Sequence, residues 1–376
     1  MTQTLLCSGA KPKREASIQI IYVLFPLFVI TAKIIRHTIM KTVLVDAGIG
    51  HLMLPNILAG NIRFLLFETT GTMDASGNAS YLFSFLRFGA KSYLEFETVI
   101  TILWNLIILS IMRMIKKSLT IGQISFLALS ILVLNIFDFT LAKEPIQMLY
   151  FLAMYYVLKS NSISIRGKSI WTFVILTFSI ITFRTYYVII VYFLTCVQFI
   201  GWLYMRKQKR ITFLRLLGIT LLIGVFYYIL LSASHIISPD NYDELIRVRT
   251  RTSTAASDIR TIVPVSNQIV FALNYLATVL RMLFPLELIW LGVKYIPYVL
   301  YQLVITALVF LALKGFRKNS AEKNLALFVF FGFLFASASF EPDFGSWVRH
   351  EAVTFPLLLL IADIAANKST IHLHRG

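Results

Sequence analysis

Long apolar runs separated by short basic segments make up most of the chain from residue 18 to residue 366. A helix needs about twenty predominantly apolar residues to span the hydrocarbon core of a bilayer. The pattern therefore predicts an all-α polytopic membrane fold, a single domain over residues 1–376 with about ten transmembrane helices. These lie near 18–35, 96–112, 121–141, 145–158, 170–183, 186–205, 212–235, 295–313, 324–340 and 352–366.

Basic clusters predict the orientation of these helices, because Lys and Arg concentrate in the cytoplasmic loops of membrane proteins. All the clusters fall on one side if both termini are cytoplasmic, with residues 1–17 and 367–376 as tails. The clusters are KPKR (11–14), RMIKK (113–117), the stretch 159–168, RKQKR (206–210), KGFRK (314–318) and the C-terminal tail.

The acidic residues give independent information, since Asp and Glu contribute little to topology. Only three of the 18, Glu15, Glu322 and Asp363, fall on the predicted cytoplasmic side. The others lie at the outer face with a similar number of Lys and Arg residues. We therefore expect a balanced surface of arginines and carboxylates there, suited to polar, anionic substrates.

Composition agrees with a membrane protein and excludes several function classes. The chain is 58% hydrophobic and 14% charged, with a mean hydropathy of +0.77, whereas soluble domains carry roughly 25% charged residues. The net charge of +17 follows from basic loops, so no nucleic-acid partner is predicted. Cys7 and Cys196 support neither a disulfide framework nor a metal cluster. Without a P-loop, H-E-x-x-H or dinucleotide motif, no cofactor is predicted.

Two regions do not fit simple spans. The predicted outer segment 36–95 contains an interrupted apolar stretch at 43–68, which favours a re-entrant or outer-face hairpin. The predicted outer loop 236–294 contains a second apolar stretch at 268–290, which favours an amphipathic helix on the outer face.

The longest polar segment, 236–266, carries an RVRTR run with Arg247, Arg249 and Arg251. Guanidinium groups make planar, bidentate contacts to phosphate and carboxylate oxygens. The run is a candidate clamp for a lipid pyrophosphate or an acidic sugar. A solvated loop with internal ion pairs is the alternative.

A second candidate is the segment EPDFGSWVRHE (341–351), at a predicted outer helix boundary. Ionisable groups so close to hydrocarbon indicate function unless they are paired. His350 is a candidate general base, Trp347 suits the membrane interface, and Arg349 capping Glu341 or Asp343 is the structural alternative. The candidate acids and bases are Glu341, Asp343, His350 and Glu351, with Arg349 as a phosphate ligand.

Other candidates interrupt or flank apolar runs. Arg184 divides the stretch 170–205, either within one long helix or between two short ones, and needs an anionic partner such as a substrate phosphate or Glu144. Lys143 and Glu144 join two spans, with Pro145 suited to the following first turn. Glu95 and Glu97 open a span, where they would complement the helix dipole, and Arg281 is expected to pair with Glu287.

This pattern resembles the bacterial Wzy-type polymerases, which join lipid-linked repeat units of capsule, exopolysaccharide or O-antigen. The resemblance rests on about ten spans, a late polar loop, Arg184, the RVRTR run and the E-P-D-F-G-S-W-V-R-H-E segment. It implies glycosyl transfer at the outer face of the bacterial cytoplasmic (inner) membrane, without nucleotide or metal, from a chain on undecaprenyl pyrophosphate to a lipid-linked repeat unit. A chain-length regulator and a flippase are the implied partner proteins.

Under this resemblance, Arg184, Arg247, Arg249 and Arg349 are the favoured phosphate ligands, and His350 or Glu351 the base. Three alternatives stay open. A glycosyltransferase using polyprenyl-phosphate sugars would place an acid near Asp46, although no Asp-Glu pair stands there. A flippase should show mid-span charges and internal repeats, and a structural subunit would need no site.

Overall fold

The structure, a computed structural model, describes residues 10–40, 47–59, 75–86, 88–115, 119–206, 212–233, 259, 261–264, 267–316, 318–340 and 343–364. All of its secondary-structure elements are helices. The α-helices are α1 (Ala10–His37), α2 (Ala47–Ala59), α3 (Ala75–Phe85), α4 (Tyr93–Arg113), α5 (Ile121–Val133), α6 (Glu144–Lys159), α7 (Ile165–Thr182), α8 (Val188–Arg206), α9 (Phe213–Ala233), α10 (Gln268–Leu283), α11 (Ile296–Lys314), α12 (Ala321–Phe340), α13 (Phe344–Ala352) and α14 (Phe355–Ile361). Leu134–Asp138 is a π-helix, and Thr185–Tyr187, Leu286–Leu291 and Val293–Tyr295 are 3-10 helices.

Six of the described helical segments are long and apolar enough to cross a membrane. They are Gln19–His37, Tyr93–Arg113, Ile121–Asp138, Ile165–Thr182, Val293–Lys314 and Ala321–Phe340. Several shorter apolar helices accompany them. The chain is therefore an all-α, multi-pass membrane protein, and the total of ten spans stays a prediction.

The prediction of one helix over 352–366 is wrong. Helix α13 ends at Ala352, and α14 covers only Phe355–Ile361. Thr354 makes the break, since both its backbone N–H and its hydroxyl donate to the Glu351 carbonyl, at 2.9 and 2.6 Å. Pro356 then lies in the first turn of α14, where a missing N–H is tolerated.

The two regions that do not fit simple spans, 43–68 and 268–290, each contain a helix. Helix α2 lies within 43–68, whose remaining residues are outside the described chain. Within 268–290, Asn267 caps α10 by accepting from the N–H groups of Ile269 and Val270, and Pro285 ends it because proline cannot continue a helix.

Helix α12 is the central element of the bundle. Of its apolar window 83% is buried, against 50% or less in each of the other five candidate spans. It packs most extensively on α8, and also on α14, α10 and α11. The backbones of α12 and α8 come close at Gly332, where a Cβ atom would lie 3.0 Å from the Ile190 Cα. A small residue thus lets two helix backbones meet, as is common in membrane bundles.

An ionic cluster ties α1 to α4. Glu97 Oε1 lies 2.8 Å from Lys33 Nζ, 3.0 Å from Arg36 Nε and 3.4 Å from His37 Nε2. Glu97 is buried, so the prediction that it only complements the dipole of α4 misses its main contacts. Glu95 lies exposed in the first turn and accepts from the Lys91 N–H.

Lys33 and Arg36 also bind the segment that follows α5. Lys33 Nζ donates to the Phe139 carbonyl at 2.7 Å, and Arg36 Nη1 donates to the Ile136 carbonyl at 2.5 Å. Arg36 Nη2 also donates to Thr140 Oγ1 at 3.1 Å. These carbonyls belong to the π-helix and the bend after it. The cluster therefore fixes the chain that leads to Glu144.

Contacts between helix ends define two faces of the bundle. The end of α1 and the start of α4 meet the π-helix at one face, which we call the site face. At the opposite face, Lys168 Nζ lies 2.8 Å from Glu322 Oε1 and joins the starts of α7 and α12. Gln123 Nε2 there donates to the Ala362 carbonyl at 2.8 Å, so α14 runs back towards that face.

We expect Glu97→Ala to destabilise the fold strongly, because it leaves two largely buried cations without their carboxylate. Breaking one side of a buried ion pair costs about 3–5 kcal/mol. The measurement is the Tm of the purified protein in detergent. Glu95→Ala is the matched control on the same helix and should leave the Tm nearly unchanged. Equal Tm values for the two variants would contradict this role of Glu97.

Gly332→Ala should lower the Tm because the added methyl group forces α12 away from α8, and overpacking of this kind costs about 1–3 kcal/mol. Gly218→Ala in α9 is the control, since a Cβ atom there meets nothing within 4 Å. Thermal unfolding of both variants in the same detergent tests the difference. A Gly332→Ala protein as stable as the Gly218→Ala protein would show that the approach is looser.

Candidate functional site

The junction between α7 and α8 presents Arg184 at the site face. Helix α7 ends at Thr182, Arg184 is extended (φ −148°, ψ 114°), and a short 3-10 helix leads into α8. The structure confirms that the stretch 170–205 forms two helices that meet at Arg184, and not one long helix. The Arg184 backbone N–H donates to the Ser179 carbonyl at 3.0 Å, which secures the turn.

Aromatic rings hold the Arg184 side chain. Its guanidinium carbon lies 5.6 Å from the centre of the Phe183 ring and 5.3 Å from that of Tyr186. It also contacts the Tyr186 hydroxyl. Only 5% of Arg184 is exposed. Cation–π contacts are stronger when desolvated, so these rings help to keep a buried charge in place.

Helix α13 brings His350 to the same point. Asp343 caps this helix, its Oδ2 accepting from the Ser346 N–H at 2.7 Å, so one candidate acid has a structural contact. His350 and Glu351 are both buried. Trp347, a residue type that suits the membrane interface, has its side chain fully buried within the bundle and does not face lipid.

Arg184, His350 and Glu144 form the centre of the site. Arg184 Nη2 lies 2.9 Å from His350 Nε2, and Glu144 Oε1 lies 3.4 Å from the same nitrogen. One nitrogen cannot accept from an arginine and donate to a carboxylate at once. Because arginine can only donate, Nε2 is the acceptor in the shorter contact. Glu144 then lies beside His350, the candidate general base.

Lys143 and Arg349 lie at the partly exposed rim of this centre. Arg349 Nε donates to the Gly345 carbonyl at 3.3 Å. The positive charges of Arg349 and Lys143 both act on the Glu144 carboxylate. The predicted position of Pro145 in the first turn of α6 is confirmed. Three predicted site groups, Arg184, His350 and Glu144, are thus in contact, with two cations beside them.

Glu351 occupies a different environment from Glu144. Its Oε1 accepts from Gln302 Nε2 at 3.0 Å, and Gln302 Oε1 accepts from Trp347 Nε1 at 3.2 Å. Burial raises the pKa of the Glu351 carboxyl well above its ordinary range, against the opposing effect of the Gln302 hydrogen bond. A carboxyl that stays protonated cannot accept a proton at neutral pH. Its contacts therefore suit positioning α13 against α11.

Asp138 is a buried acid that was not among the predicted site residues. It ends the π-helix, is fully buried, and neither carboxylate oxygen has a hydrogen-bond partner among the described residues. The charges of Glu144, Arg349, Arg36 and Lys33 act on it. It therefore lies between the ionic cluster of α1 and the Arg184 centre. An acid within the apolar run 121–141 was the signal that could have found it.

Five further residues were predicted as part of the site. Arg247, Arg249, Arg251 and Glu341 lie outside the described residues. Arg281 pairs with Glu287, as predicted, with its Nε 2.7 Å from Glu287 Oε2. Among the described residues, no three His, Cys, Asp or Glu side chains come together as a metal site would require.

Comparison of the chain with family models, with curated proteins and with solved structures finds no match in any of the three.

We expect Glu351→Gln to keep the Tm of the native protein, because the amide reproduces the shape and hydrogen bonding of a protonated carboxyl. Glu351→Ala should lower the Tm, since it leaves a cavity and an unpaired Gln302 amide. Thermal unfolding of both variants is the measurement. If Gln destabilises as much as Ala, the carboxyl is ionised in the folded state.

Proposed function

We propose that this protein is a bacterial inner-membrane polymerase that joins lipid-linked oligosaccharide repeat units at the outer face of the membrane. The observation that carries the proposal is the contact of Arg184 with His350, next to Glu144. An anion ligand, a base and a carboxylate are the groups that such a transfer needs. Their position at one end of a helical bundle suits a substrate whose reactive group lies at the membrane surface.

The reaction joins the anomeric carbon of the donor chain to a hydroxyl oxygen of the acceptor repeat unit. The bond between that carbon and the pyrophosphate oxygen breaks, and undecaprenyl pyrophosphate leaves with the bonding electrons. Arginine donors aimed at developing negative charge stabilise such a transition state. In this proposal Arg184 binds the pyrophosphate, with Arg349 at the rim as a second ligand.

The hydroxyl proton passes to His350. At rest, Arg184 occupies the Nε2 lone pair, so the base is blocked. When Arg184 turns to the pyrophosphate, Nε2 becomes available to accept the proton. Glu144, 3.4 Å away, then stabilises the imidazolium ion. Substrate binding and activation of the base are in this way linked through one arginine.

Two alternatives are less favoured. A flippase should carry charges midway along its spans, whereas the central buried charges here lie at helix ends on the site face. A polyprenyl-phosphate-sugar glycosyltransferase would use an acid near Asp46, which lies outside the described residues. The lipid-linked intermediates of a deletion strain distinguish the three. Single repeat units outside indicate a polymerase, units trapped in the cytoplasm a flippase, and incomplete units a glycosyltransferase.

We expect Arg184→Ala and Arg349→Ala to abolish polymer and to leave single repeat units on the lipid carrier. Gel analysis of the surface polysaccharide and of the lipid-linked pool gives the readout. Arg166→Ala is the matched control, because Arg166 is exposed at the start of α7, at the opposite face. Long polymer in both site variants would make the assignment wrong.

A further inference from the structure

An apolar groove lies between α6 and α7, with Leu82 of α3 at its side. Its volume is about 380 Å³, within the range of small-molecule and cofactor sites. Ile146 and Ala153 line it on α6, and Val174 and Phe178 on α7. Every lining residue is apolar or aromatic, so the groove suits a hydrocarbon chain and offers nothing to a polar solute.

The groove begins where the charged centre ends. Ile146 follows Glu144 by two residues, so the groove starts in the first turn of α6. Tyr150, which lines the groove on α6, shares a hydrogen bond of 2.8 Å with Thr182 Oγ1 at the end of α7, two residues before Arg184. The Tyr150 ring also lies 5.9 Å from that of Phe183, which stacks under the Arg184 guanidinium. These aromatic contacts connect the groove to the cation.

The groove is somewhat shorter than one leaflet is deep. From Ile146 to Ala153 the helix rises roughly 10 Å at 1.5 Å per residue. The hydrocarbon core of one leaflet is about 15 Å deep, half of the full core. A chain lying in the groove would therefore run from the site face over about two thirds of the leaflet depth.

We propose that this groove binds the first isoprene units of the lipid carrier, directly below its pyrophosphate at Arg184. The inference rests on the proposed function and adds a binding site for the hydrocarbon tail. A cationic end continued by an apolar groove complements an amphiphile with an anionic head. A pyrophosphate carries more negative charge than the phosphodiester of a membrane phospholipid, so the isoprenoid carrier is the occupant that the cations favour.

A second apolar groove provides the control. It has a volume of about 320 Å³ and lies between α8 and α9, lined by Cys196 and Ile223 among others. Its first lining residue after Arg184 is Tyr192, two helical turns away. The two grooves are thus alike in size and character but differ in their connection to the charged centre.

The test fills each groove with a phenyl ring. Ala153→Phe fills the first groove and Cys196→Phe the second. Ala153 is exposed, so its replacement need not disturb the core, and Val174→Phe, at a position 48% exposed, tests the opposite wall. The Tm of each variant checks the fold. The full-length protein is studied in nanodiscs with farnesyl diphosphate and with inorganic pyrophosphate as probes.

We expect Ala153→Phe and Val174→Phe to weaken farnesyl diphosphate binding at least tenfold, while inorganic pyrophosphate binds as in the native protein. Cys196→Phe should change neither. Native affinity for farnesyl diphosphate in both first-groove variants overturns the proposal. So does equal competition by phosphatidylglycerol, which would make the groove an ordinary lipid site.

Polymer assays in cells separate failure of this inference from failure of the proposed function. If Arg184→Ala abolishes polymer and the first-groove variants do not, the groove is wrong and the polymerase assignment stands. If Arg184→Ala leaves polymer intact, the proposed function itself fails.

Discussion

Charged groups buried at one end of a helical bundle must neutralise one another, because moving an unpaired ion out of water costs several kcal/mol. This requirement organises the site face. Lys33, Arg36 and His37 all lie within 3.4 Å of one oxygen of Glu97. Glu144 lies beside His350, and the charges of Arg349 and Lys143 act on it. Ion pairs join helices that are distant in sequence at this face, as Lys168 and Glu322 do at the opposite face, whereas the middle of the bundle packs through apolar side chains.

The same requirement explains why the chain is irregular at this face. A π-helix and the bend after it leave backbone carbonyls without helical partners, and such groups must be satisfied within a membrane protein. Lys33 and Arg36 supply donors to the carbonyls of Phe139 and Ile136. At the break between α13 and α14, Thr354 similarly donates to the Glu351 carbonyl. Irregular backbone and buried polar side chains therefore stabilise each other.

The proposed function combines this charged end with the apolar surface beneath it. The Arg184 guanidinium lies near the rings of Phe183 and Tyr186, and the Phe183 ring lies 5.9 Å from the Tyr150 ring of the groove. A lipid-linked substrate has the same order of parts, an anionic head followed by a hydrocarbon tail. In the proposed mechanism, His350 is the base, and Arg184 releases it when the anion binds.

The sequence by itself determined the class of the protein and most of its helices, because apolar runs of sufficient length admit few other structures in a bilayer. It also predicted the Arg281–Glu287 pair, which depends on neighbours along the chain, but it left one helix or two open at Arg184, and the structure decided for two. Only the tertiary structure decided which distant residues meet. Glu97 reaches α1, Trp347 turns inward to Gln302, and Asp138 enters the site because long-range packing, which local pattern does not encode, sets the partners of a buried charge.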